Sequence, residues 1–253
     1  VDLKTLTVST IFGVLLIFCR AGSCLMVLPG IGDSYVAIRF RLLISLVISI
    51  VIFPVIDNLP KFPESSSILF LIITFEIFTG IFIGLITRIL FSTIHVAGLI
   101  IASQSGLGSA MLFDPSQGSQ GAIMGNFLSL IAIVLLFSTN LHHMLIEGIA
   151  DSYNIFIAGD FVNTKDYASH IIDIMNKSFH IAIKMVSPQI IISILLLLAS
   201  GILARLMPSL QIFFLITPIQ LLLSFFLIMV TLSVSMMWYL NYIQEATIGI
   251  LAP

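Results

Sequence analysis

The chain has 253 residues, of which 59% are hydrophobic and only 9% charged, with a mean hydropathy of +1.19. A soluble domain carries about 25% charged residues, so this composition excludes an ordinary soluble protein and indicates one embedded in a membrane or buried in a membrane complex. A formal net charge of −2 and a pI near 6.2 give no basic field for nucleic acid and no Lys/Arg cluster for anionic lipid.

Apolar runs cover residues 6–28, 42–56, 68–86, 90–103, 122–141, 190–204 and 212–237. Backbone facing lipid must satisfy its own hydrogen bonds, so all seven runs are expected to be helical. Asp2 and Lys4 cancel and Arg20 interrupts the first run, which is therefore expected to stay in the mature protein rather than act as a cleaved signal. Cys19 and Cys24, five apart, do not share a helical face and are expected as core thiols. Pro29 follows the first run, Pro54, Pro60 and Pro63 the second, while Pro188 precedes the sixth and Pro208 the seventh, so each is expected to mark a helix end. The second, fourth and sixth runs offer only about 15 residues, about 22 Å against a hydrocarbon core of about 30 Å, too little to cross alone.

Charges interrupt these runs. Arg20 lies in the first, Glu76 in the third, and Arg88 and His95 beside or within the fourth. Facing lipid at mid-depth each would cost at least about 2 to 3 kcal/mol, so they are expected to face protein or water. Gly80 with Gly84, and Gly121 with Gly125, have the small-residue spacing that lets two helices approach closely, within the chain or between chains. If every run crossed, Arg39, Arg41, Arg88, Lys165, Lys177 and Lys184 would share one side and Lys4, Lys61 and Arg205 the other, which favours an external amino terminus; hairpins entering and leaving from one side are the alternative.

Residues 104–121, QSGLGSAMLFDPSQGSQG, break the apolar pattern with a loop rich in glycine and serine and free of lysine, arginine and glutamate. Met111, Leu112 and Phe113 make an apolar tip poorly placed in water, one that calls for a recess to fill. Residues 164–187 are expected to form an amphipathic helix: Ala168, Ile171, Ile172, Met175, Phe179, Ala182 and Val186 share one stripe, while Asp166, His170, Asp173, Lys177, His180 and Lys184 fall elsewhere. His143 and Glu147 share a helical face beside His142, but no further ligand stands nearby, and they are expected at an aqueous helix end rather than on a metal. No pattern points to catalysis or to a cofactor.

Four blocks carry a resemblance: CRAGSCLMVLPGIGDSYVAIRFRLLISLVIS, FEIFTGIFIGLITRILFSTIHVAGLIIASQSGLGSAMLFDPSQ, LFSTNLHHMLIEGIADSYNIF and GILARLMPSLQIFFLITPIQLLLSF. Over nearly its whole length the chain resembles the FliR family, the flagellar members of the FliR/SpaR export-gate proteins of bacterial type III secretion. One difference falls at Ser209, Leu210 and Gln211, where the family usually has Gln-Leu-Asn or similar. The resemblance implies a single FliR-like domain over 1–253: an all-α membrane protein of about six or seven apolar helices in kinked hairpins, packed into a multi-subunit helical export-gate assembly. It implies a place in the bacterial cytoplasmic membrane, within the flagellar basal body, in contact with membrane lipid. FliP and FliQ would be its neighbours and FlhB, FlhA and a cytoplasmic ATPase its further partners. The implied role is non-enzymatic: passage of unfolded flagellar proteins across the membrane. Gly106, Leu107, Gly108, Ser109, Ala110, Met111, Leu112, Phe113, Asp114 and Pro115 match a loop that in the family plugs the channel. A virulence secretion subunit of the same superfamily is the first alternative. A secondary transporter using Arg20 and Glu76, and a membrane enzyme around His142, His143 and Glu147, are the others.

Overall fold

A computed structural model describes residues 3–33, 36–56, 59–60, 62–63, 65–106, 120–158, 164–207 and 212–251. Among the described residues there is no strand. The elements are α1 (Leu3–Val27), α2 (Ile38–Ile52) with a short 3-10 turn at Phe53–Val55, α3 (Ser66–Gln104), α4 (Gln120–Ser138), α5 (Leu141–Ile155), α6 (Thr164–Leu206) and α7 (Ile212–Leu251). Among the described residues five helices are long and apolar enough to cross a membrane, or six spans if α4 and α5 count as one broken span. The chain is an all-α membrane protein.

Local chemistry explains the ends. α1 stops before Pro29, and Gly30 takes a left-handed φ of 84°. The turn that follows is held by Asp33, whose carboxylate accepts from the Gly30 N–H at 2.9 Å, and by Arg41, which donates to the carbonyls of Val36 and Asp33. Pro54 stands inside the 3-10 turn that closes α2. Asn140, with φ 59° and ψ 16°, separates α4 from α5, the left-handed position asparagine adopts more readily than most residues.

The run lengths expected from the sequence are corrected in two places. The third and fourth runs, 68–86 and 90–103, are one helix of 39 residues, α3. The amphipathic stretch 164–187 and the sixth run 190–204 are one helix of 43 residues, α6, with Pro188 inside it. Arg88 does not interrupt α3 because its guanidinium reaches outward, 56% exposed and 3.9 Å from the Asp33 carboxylate. Pro188 lacks the N–H that would meet the Lys184 carbonyl, and the Ser187 hydroxyl donates to that carbonyl instead at 2.8 Å, so the helix continues past the ring. With α7 at 40 residues, three helices are about 60 Å long at roughly 1.5 Å per residue, twice the hydrocarbon thickness. Within them Thr74, Thr79, Thr87 and Thr231 return their hydroxyls to the carbonyl four residues back, so these polar groups need no outside partner.

The chain divides into two compact units, residues 1–90, 136–175 and 244–253 in the first and 91–135 with 176–243 in the second. In the first, Ile17, Ala21, Cys24, Leu25 and Leu28 of α1 pack with Ile52, Ile149 and Tyr153. In the second, Phe91 and the fully buried Tyr239 meet edge to face with ring centroids 6.2 Å apart, and Ser178 and Tyr242 share a hydrogen bond of 2.9 Å.

Candidate functional site

Arg20 and Glu76 stand opposite each other in the first unit, each 1% exposed. α1 and α3 run alongside at backbone contact, because a methyl group added at Gly80 would overlap the Arg20 carbonyl and the Ser23 hydroxyl, and one at Gly84 would sit 2.7 Å from the Cys24 carbonyl oxygen. Glu76, Gly80 and Gly84 are spaced by four on α3, so the glycines that admit α1 also bring the carboxylate to its arginine.

The guanidinium is met on several sides. Its Nε donates to Glu76 Oε2 at 2.7 Å and its Nη2 to Oε1 at 3.0 Å, a bidentate fork. Nη1 donates to Ser152 Oγ at 3.1 Å, and Nη2 also reaches the Phe156 carbonyl at 3.0 Å. Phe156 caps the end of α5, where a helix leaves carbonyls without an internal partner. The Tyr153 ring lies 3.6 Å from the guanidinium carbon, and its hydroxyl donates to Glu76 Oε2 at 3.3 Å. One cation thereby ties α1, α3 and α5 together. With both carboxylate oxygens engaged, the arrangement suits a fixed joint rather than an acid or base in turnover.

The second unit holds its own close approach. Gly125 of α4 faces the His95 ring, where an added methyl would lie 2.9 Å from Cε1 and Nδ1, and Gly98 faces the Gly125 backbone, with Gly125 N at 2.7 Å from such a methyl. Sequence spacing offered Gly121 as the companion of Gly125 along one helix; the residue that meets Gly125 across helices is Gly98, not singled out from the sequence. Its signal was available, since an isolated glycine inside an apolar helical run costs about 1 kcal/mol relative to alanine and calls for a packing reason. Ser152, Tyr153 and Phe156 were not singled out from the sequence either; Ser152 and Tyr153 bring hydroxyls to the site and Phe156 only its backbone carbonyl.

His142 lies against Phe137 and His143, with ring centroids 5.1 Å and 4.2 Å away. Among the described residues no three His, Cys, Asp or Glu side chains gather as metal ligands would. Gly106 ends α3 with a left-handed φ of 80°, facing the Gln220 side chain. Leu107, Gly108, Ser109, Ala110, Met111, Leu112, Phe113, Asp114 and Pro115 lie outside the described residues, and Gly121 falls in the first turn of α4.

The family model for bacterial export proteins, family 1, matches residues 11–246. Over 229 residues, 90% of this chain and 91% of the relative, the sequence is 31% identical to the flagellar biosynthetic protein FliR of Caulobacter vibrioides. It is 30% identical over 224 residues to the FliR of Bacillus subtilis, covering 87% of this chain and 86% of that one. The Yop proteins translocation protein T of Yersinia pestis is 26% identical over 210 residues, 81% of this chain and 80% of its own.

Proposed function

The chain belongs to the bacterial export proteins, family 1, and from that premise we propose that it forms, without catalysing any reaction, part of the wall and the movable plug of a protein-export channel. It is a multi-pass protein of the bacterial inner membrane and a subunit of a flagellar or type III export gate. The finer assignment is to the flagellar gate, with FliP- and FliQ-like subunits around it, FlhB- and FlhA-like proteins beside it, the basal body enclosing it, and unfolded flagellar proteins as cargo. The flagellar assignment is supported by identities of 31% and 30% to flagellar relatives.

The observation that carries the reading is the length and openness of the helices. α3, α6 and α7 are about twice as long as a bilayer crossing requires, and they leave Phe70, Phe78, Leu197, Leu222, Phe226 and Met229 among their exposed large apolar side chains. A helix that outruns the hydrocarbon layer yet stays apolar is stabilised where other protein covers it. Subunits packed in a multi-chain gate supply that cover.

Residues 106–115 are assigned as the plug. Gly106 and Gly108 allow the backbone to turn, Met111, Leu112 and Phe113 seal, and Asp114 before Pro115 shapes the return turn. An apolar seal stops ions and yields to a polypeptide pushed through it. Replacing Met111, Leu112 and Phe113 by glycine is expected to raise ion conductance through the assembled complex. Unchanged conductance discards the plug.

A further inference from the structure

α2 is built inside out. Its polar side chains, Ser45 and Ser49, are buried, while Leu43, Leu46, Val47, Ile50 and Val51 are between 48% and 65% exposed. The buried side lies on α1, where a methyl group placed on Gly22 would meet the Ser45 Cβ at 3.8 Å. Neither hydroxyl needs a partner from another helix, since Ser45 donates to the Arg41 carbonyl at 2.7 Å and Ser49 to the Ser45 carbonyl at 2.6 Å. Small residues are what let membrane helices approach one another closely. The two serines are the only small residues of α2, and both are on its buried side. Its outward side carries bulky branched side chains, a surface for acyl chains rather than for a further helix.

Length agrees. Ile38–Val55 is apolar enough to cross a membrane and only 17% buried. Its 15 residues of α-helix at roughly 1.5 Å each and three residues of 3-10 turn at about 2 Å reach about 28 Å, close to a hydrocarbon core of about 30 Å. The run 42–56 read alone is shorter because it stops at the arginines, whereas Ile38 and Phe40, 62% and 66% exposed, carry the apolar side past them.

At that end of α2 the fold gathers cations that are separate in the sequence. Arg41 donates to the Val36 and Asp33 carbonyls. Arg88 of α3, 61 residues beyond Val27, reaches the Val27 carbonyl at 3.4 Å and the Asp33 carboxylate at 3.9 Å. Arg39 is exposed and has no hydrogen bond or ion pair among the described residues. Three arginines with one aspartate leave a surplus of two positive charges at this level. No such cluster is visible in the sequence, because Arg88 comes to it from another helix.

We infer that α2 is a lipid-facing span, with Arg39 and Arg88 meeting phospholipid phosphates at one membrane surface and Leu43, Leu46, Val47, Ile50 and Val51 meeting the acyl chains beneath. Arginines at the end of a membrane helix extend to the headgroups while their stems stay with the apolar side, and a positive surplus there selects anionic headgroups over zwitterionic ones. The inference is independent of the plug. It divides the apolar surface of the chain, giving α2 to lipid and leaving the long helices to other subunits.

The test is photo-cross-linking in the assembled complex, reconstituted in vesicles of equal phosphatidylglycerol and phosphatidylcholine, with benzoylphenylalanine in place of Leu46, Phe40 or Phe226. Leu46 is expected to yield a lipid adduct; an adduct to another polypeptide, or none to lipid, overturns the inference. Phe226, on α7, is expected to yield a protein adduct, and lipid there strikes at the protein cover of α7 and not at α2. At Phe40 the adducts are expected to favour phosphatidylglycerol about fivefold, the preference one basic side chain near a membrane surface confers. Arg39→Gln/Arg88→Gln is expected to abolish that preference and Arg39→Lys/Arg88→Lys to keep it. A preference absent from the parent protein, or untouched by the glutamines, overturns the headgroup contact. Arg39→Gln alone, which breaks no bond among the described residues, repeats the arm should the double variant fail to assemble.

Discussion

Arg20 carries the largest fully buried side chain among the described residues, and its charge is tolerable there only because the fork of Glu76, the Ser152 hydroxyl, the Phe156 carbonyl and the Tyr153 ring surround it. Removing one partner leaves the other charge buried and unmet. Arg20→Ala or Glu76→Ala is therefore expected to destabilise the chain by about 3 to 5 kcal/mol, whereas replacing both by apolar residues of similar volume is expected to cost far less. Denaturant titration of the purified protein in detergent distinguishes these outcomes, and equal losses from single and double variants would show that the pair is not a joint. Tyr153→Phe keeps the ring over the cation and loses only a hydroxyl bond to the carboxylate, for an expected loss of about 1.5 kcal/mol by the same titration. Both charges were legible in the sequence because they break apolar runs. Their partnership was not, since 56 residues separate Arg20 from Glu76 and 132 separate Arg20 from Ser152, and apolar periodicity records no distance of that kind.

At the scale of the helices, two glycines behave in opposite ways because one is buried against a neighbouring helix and the other is exposed. Gly80 leaves no room for a Cβ beside the Arg20 carbonyl, while a Cβ at Gly201 meets nothing within 4 Å. Gly80→Ala is expected to push α1 from α3 and lower stability, and Gly201→Ala to raise the stability of the chain by about 0.5 to 1 kcal/mol through helix propensity. Thermal unfolding of the two variants checks the contrast, which fails if both shift the same way. Ser187→Ala strips the Lys184 carbonyl of its donor next to Pro188, with an expected cost of about 1 kcal/mol, measurable by the same melt. Helical class and the positions of most apolar spans were legible from residue type alone, as were the breaks at Pro29 and Pro54. The sequence misleads at Arg88 and Pro188, because a charge within an apolar run and a proline ordinarily mark boundaries. A long arginine that reaches an aspartate and a serine that replaces a missing donor turned two expected boundaries into helix interior, and α5, with its mixed LHHMLIEGIADSYNI composition, was hidden by the polar residues that place it against α1.

For the molecule as a whole, stability depends on what covers its apolar surface. Three helices of 39, 43 and 40 residues cannot all lie within about 30 Å of hydrocarbon, and their outward faces carry many leucine, isoleucine, phenylalanine and methionine side chains, with charge confined to Arg88 of α3, Glu245 of α7 and, on α6, Asp173, Lys177, Lys184 and Arg205 among the described residues. That excess was only half legible. Composition showed a membrane environment, but the seven apolar runs, read singly, concealed helices twice as long as a bilayer needs. The chain's surface is thus fitted to neighbouring polypeptides as much as to lipid. The most direct test is the mass of the particle released by gentle detergent extraction from the native membrane. The expected particle holds this chain together with several copies of two other small helical proteins, and one containing this chain alone, monodisperse and competent for export in reconstituted vesicles, would contradict a surface covered by other subunits.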